Sequence, residues 1–406
     1  MKNHELMDDS TIVLGFSGGL DTSFFVPYLK ERFGCRIVTV TVNTGGFSAA
    51  EMDAIRRRSE EVGADAHVGI DAREEFFSDV VCYIIKTNSL RWEKYPLCVA
   101  AERITQVKHL GDVARKENTK AIGHGSTGAG NDQFRFDSYI LALMPDAHIV
   151  APVREQGFSR SYEAKFLKQR GIVVQEKTRQ YSYNVGLLGT SIGGKETTTL
   201  WDDLPEAAYL HTTNPVHAPD TPEVIELGFD HGVLTSLGGT KFPPIDIWSM
   251  VDTIACHHGV GRDIYIGDTT VGSKGRIGFE APAATVVFAA HKALEAATLS
   301  KLQYDLSRVL SQMYSDVIYH ARYFDSVRRN IETAVDDIQN VVSGVVRLSC
   351  YKGHVRVLGV KSATALWGSQ VTYGENNTFL DGKQAEGACR LHALSGMLCH
   401  MRDGAE

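Results

Sequence analysis

Residues 11–23 read TIVLGFSGGLDTS, an apolar run that breaks at paired glycines and then opens a helical pattern. TIVLGF, at 11–16, is short, rich in apolar side chains and bounded by a turn, which predicts a strand buried in a parallel sheet. From Asp21 to Arg32 the residues Phe24, Phe25, Tyr28 and Leu29 fall on one helical face. Between strand and helix, Gly18 and Gly19 let the backbone approach an oxyanion closely, and the helix start turns N–H groups and a positive dipole end toward it. Ser17, Thr22 and Ser23 add hydroxyl donors. A glycine-rich turn with a serine cap uses the same letters, so the loop alone leaves phosphate binding and a plain turn both open.

Working outward, the alternation continues. RIVTVTV at 36–42 is a second strand, 51–62 a charged helix, 66–70 a strand, and a helical stretch follows to about 87; 120–124 and 148–153 supply further strands. Repeated strand–helix units predict an α/β, doubly wound parallel sheet with helices on both faces, expected over residues 1–178. From about 181 the texture changes. Glycine and threonine cluster at 186–199 and prolines punctuate 205–222. Hairpins are expected at 223–229 with 232–237, and at 344–350 with 354–359 across Lys352-Gly353. Helices are expected at 245–257 and within 289–339. This is a separate α+β region, 179–362. Residues 363–406 read as an arm without a core, with 393–401 a short amphipathic piece. No internal repeat is visible.

Composition narrows the function classes. The chain has 406 residues, 43% hydrophobic and 22% charged, enough for two or three domains. A formal net charge of −7 argues against a nucleic-acid binder, which needs a basic stripe to displace counterions. No apolar stretch approaches the roughly 18 residues of a membrane span, and residues 1–10 lack the apolar core of a secretory signal. The cysteines at 35, 82, 98, 256, 350, 389 and 399 are scattered, odd in number and never C-x-x-C. They read as reduced thiols of a cytoplasmic protein, mostly packing residues, and not as a metal site. His257-His258 are adjacent, and neighbouring helical positions point apart, which favours structural roles.

A second loop follows the strand at 120–124: Gly125-Ser126-Thr127-Gly128-Ala129-Gly130-Asn131-Asp132-Gln133-Phe134-Arg135-Phe136. Glycines, a hydroxyl, an amide, a carboxylate and a cation so close together are costly to bury without a ligand. An Asn–Asp pair can hold an ammonium, and Arg135 can grip a carboxylate bidentately; an amino acid carries both charges. An exposed polar loop fits the composition too, although ligands of α/β sheets bind beyond the carboxyl ends of strands.

The first loop lacks the lysine of a G-x-x-x-x-G-K-[ST] loop. Its S-G-G-x-D-[ST]-S order resembles the pyrophosphate loop of N-type ATP pyrophosphatases, which cut ATP between its α and β phosphates. Both loops together resemble the argininosuccinate synthase family, and the likeness runs through nearly the whole chain. Tyr95-Pro96-Leu97 with Arg103 is similar to the family's Y-P-L-G-T-S-x-A-R. The second loop, with His124, is similar to H-G-x-T-G-x-G-N-D-Q-x-R-F, and Ala151-Pro152-Val153-Arg154 to A-P-W-R. Tyr181-Ser182, His258-Gly259-Val260-Gly261-Arg262, Lys274, Arg276 and Glu280-Ala281-Pro282 match further landmarks.

The resemblance implies that a ureido oxygen attacks the α-phosphorus of ATP, pyrophosphate leaves, and the amine of L-aspartate then displaces AMP. It implies ATP contacts from Gly15, Phe16, Ser17, Gly18, Gly19, Leu20, Asp21, Thr22 and Ser23, from Val42, and from Gly125, Gly128 and Gly130. Aspartate would meet Thr127, Asn131 and Asp132. The acceptor would meet Tyr95, Asn131, Arg135, Ser182, Ser191 and the positions of Gly267 and Phe279, with Arg103, Lys274 and Arg276 nearby. Mg²⁺ would bridge the diphosphate without a metal cage from the protein alone. Positioning and charge stabilisation suffice, and no covalent nucleophile is needed. The tail implies a homotetramer.

The chain departs from that pattern at the acceptor. Cys98, Val99 and Ala100 replace Gly-Thr-Ser. Gly267 stands at the acidic residue of I-V-E-N-R, Phe279 at the tyrosine of G-I-Y-E-T-P, Asn184-Val185-Gly186 at D-E-N, and Ala129 at a basic residue. A charged hydrogen bond is worth about 1.5–3 kcal/mol, so the expectation is a ligase that keeps ATP and aspartate but takes a ureido, amide or carboxylate acceptor without a free α-ammonium. A one-residue slip would let Asp263 or Asp268 supply the charge. Argininosuccinate synthase proper, acting on L-citrulline, is the alternative; further alternatives are another pyrophosphatase-loop ligase and a nucleotide-binding regulator without catalysis.

Overall fold

The computed structural model describes residues 11–128, 130–173, 180–368, 379 and 381–404. Residues 1–10, Ala129 and the expected boundary at 178/179 lie outside the described residues.

β1 (Thr11–Gly15) is the centre of the molecule's parallel sheet. It pairs with β2 (Arg36–Asn43) on one side and β4 (Ala121–Gly123) on the other, and the full order is β3-β2-β1-β4-β5, with β3 at Ala66–Asp71 and β5 at His148–Val150. Alternate side chains of β1 feed two different cores. Val13 enters the large core that includes Val38, Ile104 and Trp248, while Ile12 and Leu14 pack with Phe24, Phe25 and Leu29. A strand buried on both faces is apolar through its middle, Ile12 to Leu14, as the sequence requires.

Helices cover both faces. α1 (Leu20–Phe33) ends at Gly34, in the left-handed conformation that a helix stop favours. α2 (Ala49–Glu61) starts at a capping box between Ser48 and Glu51. α3 (Arg73–Phe76) and α4 (Cys82–Lys86) are joined by a π-helical turn, Phe77–Val81. α5 (Glu102–Lys116), α6 (Asn131–Leu143), α7 (Pro152–Gln156) and α8 (Arg160–Lys168) complete this half. The order reverses at β1, so the carboxyl ends of β1 and β4 flank the crevice where such sheets take ligands.

The second half holds two antiparallel sheets. The expected hairpins form one, ordered β10-β9-β8-β13-β14: β8 (Glu223–Asp230), β9 (Val233–Leu237), β10 (Thr240–Lys241), β13 (Gly344–Tyr351) and β14 (His354–Lys361). Lys352 and Gly353 both have positive φ, at 42° and 84°, the two-residue turn that tight hairpins prefer. α9 (Pro244–His257) and α10 (Pro282–Thr298) pack on it, followed by α11 (Lys301–Tyr319) and α12 (Ser326–Gln339). The other sheet was not anticipated. β6 (Ser182–Gly186), β7 (Gly189–Gly193), β11 (Arg262–Asp268) and β12 (Lys274–Glu280) form a four-stranded sheet ordered β11-β12-β7-β6. β6 and β7 are only five residues each and carry Gly186, Gly189 and Gly193, which hid them from a reading based on alternation.

The tail also differs from expectation. In place of a short piece at 393–401 there is one helix, α13 (Gly382–Arg402), capped by Asp381 and Gln384, and none of its residues is buried. Cys389 and Cys399 lie exposed on it, so packing is not their role; Cys35 and Cys350 are buried as expected, Cys82 and Cys256 are half-buried, and Cys98 is buried as well.

Candidate active site

The two sequence loops meet at the β1/β4 crevice. Gly18 sits at φ 71°, a conformation that costs other residues strain, and a Cβ there would press on Ile55 at 3.3 Å. Ser17 Oγ lies 3.4 Å from Thr22 Oγ1, and Arg58 Nε donates to Ser23 Oγ at 3.1 Å. Phe16 and Val42 are buried beside the loop, and Thr41 Oγ1 donates to the Phe16 carbonyl at 2.6 Å. From the other side, Gly125 packs so closely on the first loop that a Cβ would lie 2.7 Å from Thr22 Cγ2. Gly128, Gly130 and Thr127 line the open rim. The loop is braced from behind: Arg154 Nη1 donates to Asp137 at 2.6 Å, and His124 Nε2 lies 2.7 Å from the same carboxylate while stacking on Phe136. Burial would raise the Asp137 carboxyl, but His124 and Arg154 hold it below its usual range.

Asn131 and Asp132 open α6, where the helix dipole favours a negative group. Asp132 accepts from Arg103 Nη2 at 2.8 Å and from Arg135 Nη1 at 3.1 Å. Burial acts to raise its carboxyl, and the two arginines together more than offset it, holding it low. Arg135 is itself buried, donates to the Tyr319 carbonyl at 3.3 Å and stacks on the Tyr319 ring. Asn131 Oδ1 accepts from the Thr270 N–H at 2.9 Å, which ties this loop to the turn after β11. Thr270, Tyr319 and Arg91, which stacks on Tyr319 and pairs with Asp316, carry no local motif and were missed.

Four acceptor candidates, Ser182, Ser191, Gly267 and Phe279, share one face of the four-stranded sheet. Cross-strand pairing sets Asp263 opposite Phe279, Phe279 opposite Ser191, Ser191 opposite Asn184 and Gly193 opposite Ser182. Tyr265 and Gly267 lie on the same face of β11, since side chains alternate. Tyr95 covers this face: its hydroxyl is 2.6 Å from Ser191 Oγ, its ring stacks on Tyr265 at 5.4 Å and meets Phe279 edge-on at 5.5 Å. Burial pushes the Tyr95 phenol well above its ordinary pKa, so it stays a neutral donor. At Gly267 an added Cβ would overlap the Tyr265 hydroxyl, so the tyrosine fills that space. Neither neighbouring acid replaces it. Asp263 pairs with Lys94 at 2.9 Å and Asp268 with Lys274 at 2.6 Å, both toward solvent.

Some predicted residues stand elsewhere. Arg276 points to the opposite face, where its Nη atoms hold the carbonyls of Glu196, Thr199 and Asp202. Lys274 lies over the Trp92 ring at the sheet's edge. Glu280 is a buried brace, accepting N–H groups of Leu210, His211 and Thr212. Ser182 keeps to the acceptor face but is exposed at the start of β6. His258 is buried, with Nε2 3.4 Å from Glu223.

Residues 11–173 match the model of the arginosuccinate synthase N-terminal HUP domain, and 181–399 that of the arginosuccinate synthase C-terminal domain. A protein of Pyrococcus furiosus named argininosuccinate synthase is 37% identical over 390 residues, 96% of this chain and 94% of its own length. Proteins of the same name from Methanocaldococcus jannaschii and Chlorobium chlorochromatii are 34% and 38% identical over 391 and 394 residues, covering 96% of this chain and 98% and 97% of their own lengths. With both halves matched and the loops joined at one crevice, the chain belongs to the argininosuccinate synthase family.

Proposed function

We propose that the chain is an AMP-forming carbon–nitrogen ligase that joins L-citrulline to L-aspartate. The ureido oxygen attacks the α-phosphorus of ATP and pyrophosphate leaves; the aspartate amine then attacks the activated carbon and AMP departs. The observation that carries this reading is the contact of Gly125 with Thr22, which sets the nucleotide loop against the amino-acid loop. Backbone N–H groups at 17–23 would hold the departing diphosphate, and Asn131 and Asp132 the aspartate. Among the described residues no three acidic, histidine or cysteine side chains cluster as a metal cage. Glu163, hydrogen-bonded to Asp21 and pushed to about 8 by burial and that neighbour, has an unpartnered Oε2. This pair fits a Mg²⁺ held mainly by the nucleotide, which would neutralise charge on the diphosphate. The test is stoichiometric AMP and pyrophosphate release requiring both aspartate and citrulline; ATP left uncleaved with every acceptor offered would refute it.

The shared name of the relatives favours citrulline over the altered acceptor that the departures suggested. That second reading keeps one specific support: Tyr265 fills the Gly267 position, and Phe279 sets a ring without a hydroxyl against Tyr95. A panel of ureido acids with and without the α-amino group separates the two. We also propose a division at 1–178, 179–362 and 363–406, a cytoplasmic location and a homotetramer in which the exposed α13 meets other subunits. A chain ending before Asp381 should then have a smaller mass by light scattering.

A further inference from the structure

Glu102, the first residue of α5, is 5% exposed, yet neither of its carboxylate oxygens accepts a hydrogen bond among the described residues. Oε2 lies 3.8 Å from Arg103, beyond hydrogen-bond reach, and Oε1 has no partner at all. Buried polar atoms are almost always hydrogen-bonded, so Oε1 is an exception that calls for a partner, and the Arg103 ion pair reaches only Oε2. Its surroundings say which partner it suits. Cys98, one turn earlier, donates to the Leu188 carbonyl, binding the start of α5 to the β6–β7 hairpin. Gly186 on that hairpin leaves the space: a Cβ there would coincide with Glu102 Oε1. On its other side stand Arg103 and Asp132 of the amino-acid loop. Glu102 thus lies where the acceptor wall and the aspartate loop adjoin.

Two sequence departures meet here. In the patterns that the chain resembles, Glu102 stands at the alanine of Y-P-L-G-T-S-x-A-R and Gly186 at the asparagine of D-E-N. Gly186 leaves the space that Glu102 fills, and Oε1 still has no partner there. Meanwhile the β11 wall has no free carboxylate, since Gly267 is filled by Tyr265 and Asp263 and Asp268 are held by lysines. Asp132 already has two arginines.

We propose that Glu102 is a specificity-determining carboxylate of the acceptor pocket, receiving the acceptor's α-ammonium from the α5 side. Burial, reinforced by Asp132 and opposed by Arg103, raises its carboxyl to about 8. An incoming ammonium would restore its charge and complete the pair.

The inference rests on the citrulline reading, and the experiment keeps the two apart. Steady-state kinetics of the full-length protein are measured for wild type, Glu102→Gln and Glu102→Asp, with citrulline and with 5-ureidopentanoate, which lacks the α-amino group. Glu102→Gln should raise the citrulline KM about tenfold or more and leave the aspartate and ATP KM within about twofold. It should also abolish the preference for citrulline over 5-ureidopentanoate, and Glu102→Asp should restore part of it. The Tm should not fall, because an uncompensated carboxyl has been removed. A lower Tm with all KM values moving together, an effect on aspartate alone, or an unchanged preference would overturn the proposal. Wild type that neither binds nor turns over citrulline would overturn the acceptor reading, and this assignment with it.

Discussion

Removing the hydroxyl pair that joins Tyr95 to Ser191 tests both the fold of the acceptor wall and its use. The two oxygens are 2.6 Å apart, Ser191 is fully buried and Tyr95 nearly so. Tyr95→Phe loses one neutral hydrogen bond, about 1 kcal/mol, and orphans a buried hydroxyl, which costs about 1–3 kcal/mol. Water is poorly placed to compensate, because the Tyr265 and Phe279 rings flank Tyr95. Loss of about 1–3 kcal/mol of stability is expected from Tyr95→Phe and a comparable amount from Ser191→Ala. The double variant should lose less than the sum, by an interaction energy of about 1 kcal/mol. Urea melts of the four proteins give these values. Pyrophosphate release gives the functional half: if the pair faces the acceptor, each variant raises the acceptor KM while the aspartate KM stays put. Additive stabilities within about 0.3 kcal/mol, or KM values for aspartate and acceptor that rise together, would refute the reasoning.

Three further outcomes are expected. Gly18→Ala forces a side chain into φ 71° against Ile55 and should cost about 1–2 kcal/mol, with the ATP KM rising and the aspartate KM unmoved in the same assay. Asp132→Asn leaves the Arg103 and Arg135 guanidiniums facing a neutral amide; a broken buried pair costs about 3–5 kcal/mol, and the partial exposure of Asp132 lowers that toward about 2–4 kcal/mol, read by calorimetry. Stability should also depend on pH. Burial raises Glu102 and Glu163 to about 8, so between pH 7 and 8 the folded protein holds protons that the unfolded chain has released, and stability falls as pH rises. Asp132 and Asp137 are held low and stay ionised in both states there, so they leave the slope unchanged. Tm measured from pH 7 to 8.5 should decline and then level off, with a shallower decline in Glu102→Gln.

Local physics made the nucleotide half readable. An apolar run such as TIVLG admits few environments, and paired glycines at a helix start suit an oxyanion, although the same letters also serve a plain turn and only the resemblance chose between them. The register that joins the two loops could not be read. It depends on β4 choosing β1 as its neighbour, a pairing across about a hundred residues that no local pattern encodes. The acceptor wall was legible only through resemblance. Glycines at 186, 189 and 193 carry no alternation, so β6 and β7 looked like a loop, although they form the face on which Ser191 meets Tyr95. Resemblance also misdirected the eye. It marked Arg276 as a neighbour of the site, whereas strand alternation turns its side chain to the far face to hold three loop carbonyls.

The same alternation explains why the altered positions have to be read as a set. Gly267 taken singly is a lost carboxylate. In the folded sheet its space belongs to Tyr265, two residues back on the same strand and the same face, whose ring stacks on Tyr95. Gly186 taken singly is a lost amide, and its space belongs to Glu102, which approaches from a helix of the other half of the chain. At Gly267 and Gly186 the missing side chain is matched by a larger one reaching in from a neighbour, so the wall stays packed, and on the proposal above its carboxyl group comes from α5 instead of β11. A close-packed interior permits little else, because a void on that face would cost contacts on every side that lines it. A count of departures along the sequence therefore overstates the change in chemistry. What the acceptor meets is the sum of what was removed and what moved in.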